Sequence, residues 1–166
     1  LVAGRFVSLG LRKVQALVLS SPALDPGLNV LQKLMLAVLP RLAPDLRVGN
    51  GLNADFISHD PAVVAAYRAD PLVHDRISAR LAVFIAENGP ATIAAAPAWA
   101  VPTLLMFAGA DKLVQPRGSR SFAQAAPAGV VTTRCFDEFY HEIFNELPAQ
   151  REQVFAELKG WLDARF

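Results

Sequence analysis

Two residues have the types and positions to do chemistry together: Asp111, in "FAGADKLVQP" (107–116), and His141, in "DEFYHEIFNE" (137–146). Each alone is ambiguous. An aspartate two residues after Gly109 suits a turn or a helix cap, because its side chain bonds nearby backbone N–H groups. A histidine set among acids and aromatics could be structural, a metal ligand or a general base. As a pair they admit one mechanism: a buried carboxylate fixes the imidazole tautomer, and the imidazole takes a proton from a serine hydroxyl and passes it to the leaving group. That mechanism calls for a serine on a G-x-S-x-G turn, with chain order Ser, Asp, His. The sequence contains no such turn. Ser20 and Ser21 are poor substitutes, since they have no flanking glycines and Pro22 has no N–H to offer an oxyanion.

The elements that must position the pair can be read from apolar patterning. "VQALVLSS" (14–21), "TLLMFAGA" (103–110) and "VVTTRCF" (130–136) are continuous apolar or β-branched runs of strand length, the pattern of buried parallel strands. Asp111 follows the second run and His141 the third, so both fall beyond the carboxyl ends of strands, where open α/β sheets carry their functional loops. "GSRSFAQAA" has a helical pattern. So does "LPAQREQVFAELKGWLDARF", where Pro148 opens the helix and Val154, Leu158, Trp161 and Leu162 share a face. Alternating strands and helices predict an α/β domain over residues 1–166.

The first and second strands are separated by far more than the dozen or so residues of a simple crossover, which implies an insertion at about 25–98. It opens with "LNVLQKLMLAVLPRL", a helix with Leu28, Leu31, Met35 and Val38 on one face and Leu34, Leu36 and Leu39 beside it. The ordinary reading of such a helix is core; the functional one is an apolar face, with Leu34 and Met35, that receives an acyl chain. "PAVVAAYRA" and "SARLAVFIAEN" supply two more helices, so the insertion is expected to be a helical lid.

Composition removes other classes. A net charge of +1 provides no field for nucleic acid. Cys135 is the only cysteine, which excludes an intrachain disulfide and closely spaced Cys/His zinc clusters and suits a reducing cytoplasm. The uncharged stretch 88–110 reads as helix end, linker and strand rather than a membrane span, because Pro90, Pro97 and Pro102 divide it. His59, before Asp60 and Pro61, is expected to decorate a capped helix start, and His74 lacks the partners of a metal site. Cys135 is expected to be an inert core thiol.

"ALVLSSPAL" (16–24), "DPLVHD" (70–75), "GADKLV" (109–114) and "YHEIFNE" (140–146), in this order, resemble the downstream part of monoacylglycerol lipases and lysophospholipases of the α/β-hydrolase fold, the serine aminopeptidase S33 group. The resemblance runs nearly end to end. It implies that Asp111 is the triad acid and His141 the base, that "LVAGRF" is the helix after the nucleophile, and that the nucleophilic serine lies ahead of Leu1. It also implies that Leu113 and Val114 line an acyl pocket and that no cofactor is needed. The substrate would be a lipid-like ester, with peripheral membrane contact through the lid; the alternatives are another ester or a peptide amino terminus as substrate of the same fold, or a non-catalytic interaction module that binds through its sheet edge and apolar lid. On this view the chain alone is not a competent hydrolase, and Glu142 and Glu146 lie on the surface.

Overall fold

The computed structural model describes residues 1–166, except for the side chains of Val30, Leu31, Lys33, Leu39, Pro40 and Arg41. Three parallel strands, β1 (Leu17–Ser20), β4 (Thr103–Ala108) and β5 (Val131–Phe136), form a sheet in the order β1-β4-β5. Leu17 pairs with Thr103, and Thr103 in turn with Val131, so all three strands start level and end at the same edge.

Central β4 is wholly buried, and its alternation builds two cores. Leu104, Met106 and Ala108 pack with Phe136, Phe139, Ile143, Val154 and Trp161 on one face. Leu105 and Phe107 pack with Leu19, Leu24, Trp99 and Phe122 on the other. The first face is covered by α6 (Pro148–Asp163). The second is covered by α1 (Val2–Ser8), the end of α4 (Ala79–Ala94) with the turn after it, and α5 (Pro116–Ala125). This is the expected α/β architecture. On α6, Val154 and Trp161 are buried and Leu158 packs against them, whereas Leu162 lies 37% exposed, just off the buried stripe. β5 is less buried than its sequence suggests: Thr133 and Arg134 are exposed because β5 is an edge of the described sheet.

The insertion contains α2 (Val30–Leu42), α3 (Pro61–Ala69) and α4, as the periodicity predicts. Asn29 and Gln32 each accept the other's backbone N–H (2.8 and 2.9 Å), a reciprocal cap that starts α2. Asp60 caps α3 through Ala62 N–H (2.8 Å) with Pro61 behind it, and Ser78 caps α4 through Leu81 N–H (3.2 Å).

The insertion is not purely helical. β2 (Arg47–Gly49) and β3 (Arg76–Ser78) pair antiparallel, Val48 opposite Ile77. Three-residue strands that pair across the whole of α3 show no period that sequence patterning can detect. Helix α4 also runs through Pro90, beyond the end its apolar pattern suggests. Asn88 Nδ2 bonds the Phe84 carbonyl (2.9 Å) in that stretch. At Gly89 a Cβ would lie 2.4 Å from the Leu24 carbonyl oxygen, so glycine lets α4 rest directly on the chain leaving β1.

For the described side chains of α2 the core reading does not hold: Leu34 (62% exposed) and Met35 (44%) face solvent with Val38 and Leu42, while the helix packs along α4. Leu31 and Leu39 lie outside the described side chains. Among the described residues no helix is long and apolar enough to cross a membrane.

Candidate active site

The site forms at the shared carboxyl edge of the sheet. Gly109 N–H donates to the Phe136 carbonyl (2.8 Å), continuing the β4–β5 pairing one residue past β4. A Cβ at Gly109 would sit 2.5 Å from Asp137 Cα. Glycine therefore lets the loops leaving β4 and β5 meet, and those loops carry Asp111 and His141.

Asp111 serves both readings that its sequence context left open. Its Oδ1 accepts from Leu113 N–H (2.8 Å) and Val114 N–H (2.9 Å), which closes the turn into α5. Its Oδ2 lies 2.7 Å from His141 Nδ1. The Asp111 side chain is 3% exposed and that of His141 27%. An ionised carboxylate only accepts, so this contact places the proton on Nδ1 and leaves Nε2 free to act as an acceptor. The arrangement suits proton transfer at Nε2, with the resulting imidazolium stabilised by Asp111.

Ser21 is buried and does not join this pair. It stands just past β1 with φ +36°, and its Oγ accepts from Ala108 N–H at 3.4 Å. Leu113 forms one wall of a cavity of about 160 Å³, shared with Asn50, Leu52, Ile57, Tyr67 and His74. Val114 is half-buried and contributes its N–H to Asp111. Leu34 and Met35 remain on the open face of α2. Burial and Asp137 raise the Cys135 thiol pKa, against a smaller opposing effect from Arg120.

Sequence reading missed a second pair. Glu146 is fully buried rather than on the surface. Its Oε1 lies 2.9 Å from His59 Nδ1 and accepts from Tyr140 N–H (2.6 Å), while Oε2 accepts from His59 N–H (2.9 Å). His59 stacks on the Tyr140 ring at 3.7 Å, Tyr140 meets Phe56 edge-on, and Lys112 Nζ lies 4.2 Å from the Phe56 ring centre. His59 thus does more than precede a capped helix. No local signal could have revealed the pair, because its members are 87 positions apart.

The family model for serine aminopeptidase, S33 matches residues 1–148. The chain is 34% identical over 150 residues to a monoacylglycerol lipase of Mycolicibacterium smegmatis, covering 89% of this chain and 52% of that protein. It is 30% identical over 154 residues to phospholipase YtpA of Bacillus subtilis, covering 91% and 59%. The crystal structure of Paleococcus ferrophilus monoacylglycerol lipase superposes with a TM-score of 0.91 at 32% identity, over 98% of this chain and 64% of that one. The chain therefore spans little more than half the length of these curated relatives. Its family match, its parallel sheet and its flanking helices agree: the chain belongs to the serine aminopeptidase S33 family and carries part of the α/β-hydrolase fold.

Proposed function

We propose that the chain supplies the acid and base of a serine hydrolase that cleaves the carboxylic ester of a monoacylglycerol or lysophospholipid, with the nucleophilic serine contributed by residues ahead of Leu1. The observation that carries this reading is the 2.7 Å contact between His141 Nδ1 and a buried Asp111 already oriented by two backbone N–H groups. In this mechanism Nε2 of His141 takes the serine proton as the hydroxyl oxygen attacks the ester carbonyl. The tetrahedral intermediate collapses to an acyl-serine, and the imidazolium protonates the departing alcohol oxygen. A water, deprotonated by the same Nε2, then attacks the acyl-serine and releases the fatty acid; the proton returns to the serine. Asp111 holds the ring and its charge throughout.

The preference for an apolar acyl chain rests on the insertion, which acts as a lid. Leu34, Met35, Val38 and Leu42 form an exposed apolar face on α2, suited to an acyl chain or the surface of a lipid layer. Leu113 brings the acid-bearing loop to the cavity beside β2 and α3, where the ester's other end can sit. The names of the relatives point to the same substrate class.

The test is hydrolysis of a monoacylglycerol by the protein extended through its nucleophile-bearing segment. His141→Ala should abolish turnover while leaving the far-ultraviolet spectrum unchanged; turnover that survives would remove His141 from the mechanism. A glycine or alanine at the position of the nucleophile would overturn the reading altogether.

A further inference from the structure

Asp111 makes one contact with His141, at Nδ1, and one contact fixes a ring only as well as the backbone beneath it is fixed. That backbone is irregular: between β5 and α6 it includes a single 3-10 turn (Ile143–Asn145). Three successive amides hold it instead. His141 N–H reaches the Phe56 carbonyl (3.4 Å), Glu142 N–H the Ile57 carbonyl (2.9 Å), and Tyr140 N–H the Glu146 carboxylate (2.6 Å). The same carboxylate takes the His59 N–H and ring Nδ1, and Ser58 Oγ donates to the Asn145 carbonyl (2.7 Å). Residues 56–59 and 140–146 are thus laced together, and the Glu146 carboxylate bonds the backbones of both segments.

We propose that Glu146 is a positioning residue for His141: its buried carboxylate, partnered by His59, clamps the imidazole-bearing loop to the segment of the insertion that leads into α3. The role of His141 rests on the function proposed above, but the clamp is a property of this chain and can be measured without any turnover. A carboxylate is required because each of its oxygens faces an N–H donor. A glutamine of the same length must turn its NH₂ toward one of those donors in either flip, leaving a buried clash of donors. Burying a charge at this depth is tolerated only with such a full set of partners, so the clamp cannot be half-made. Errors of about 1 Å in the base can cost a catalyst about 100-fold, which gives the clamp its purpose.

The chain has three histidines, so its imidazole signals can be assigned individually in a ¹⁵N-labelled sample. In the native chain His141 should show one tautomer, protonated at Nδ1, with slow exchange of that proton. In Glu146→Gln the Nδ1 proton should exchange at least about tenfold faster and the tautomer become mixed, as expected on losing a charged buried hydrogen-bond set. Leu19→Ala, which weakens the core on the opposite face of the sheet, serves as the destabilised control and should leave the His141 signal as it is. If Glu146→Gln leaves exchange within twofold of native, or if Leu19→Ala alters it equally, the proposal is overturned. Should Glu146→Gln not fold, His59→Ala decides: it keeps the His59 amide but removes the ring donor and the stack on Tyr140. It should speed exchange about threefold or more, given the usual worth of one such hydrogen bond, and an unchanged rate overturns the clamp.

Discussion

Asp111 uses its two oxygens for two tasks, and a single substitution separates them. In Asp111→Asn the side-chain carbonyl can still close the turn with Leu113 and Val114, but the NH₂ then faces His141. The ring must answer with an unprotonated Nδ1, which moves its proton to Nε2 and removes the acceptor. Turnover by the extended protein should fall about 10⁴-fold in kcat at little cost in stability, and the same tautomer change should be visible by imidazole NMR in the chain itself. Cys135 offers a pH-dependent test. Burial comes first and the Asp137 carboxylate second in favouring its neutral thiol, with Arg120 opposing both. The reactive species is the thiolate, so the raised pKa lowers its fraction at any given pH up to and through the usual thiol range. Iodoacetamide at pH 8 should therefore modify Cys135 more slowly than it does a small free thiol, and Asp137→Asn should speed the reaction.

At the scale of elements, the approach of two loops depends on the absence of one carbon. The β4 and β5 exits touch at Gly109, where the obstacle to a side chain is the backbone of Asp137 and not a movable group. Gly109→Ala must push the loops apart, and overpacking of this kind costs about 1–3 kcal/mol. The urea midpoint should drop accordingly. The Asp111–His141 contact should loosen at the same time, seen as faster exchange of the Nδ1 proton. The insertion teaches a related lesson: its helices were legible from caps and periodicity, but the β2–β3 pair was not, because three-residue strands carry no period. Likewise, the apolar pattern of α2 could not say whether a partner covers it. Periodicity reports which face is apolar and not what lies against it.

Across the whole molecule, both edges of the three-stranded sheet are unpaired among the described residues, and the β1 edge is the apolar one. Among the described residues β1 pairs only with β4, and Val18 on β1 is exposed together with Val2, Phe6, Leu9 and Leu11 on and after α1. An unpaired parallel edge beside exposed apolar side chains is a template for association. The 166-residue chain should bind a hydrophobic dye such as anilinonaphthalene sulfonate and should associate in a concentration-dependent way by light scattering. Val18→Lys on the edge strand should weaken both, since a lysine there opposes strand pairing.

The three strands, the helices that cover them, and the placement of Asp111 and His141 just past strand ends were legible in local patterning, because periodicity, caps and turn residues are local properties. The family was legible too, through short motifs in a fixed order. The contact of Asp111 with His141, the exposure of Leu34, Met35, Val38 and Leu42 on α2, and the burial of Glu146 against His59 emerged only in the fold. Those facts depend on contacts between residues far apart in the chain. A glutamate in "YHEIFNE" has the sequence signature of a solvated acid; what buries it is a histidine 87 positions away, brought there by the fold.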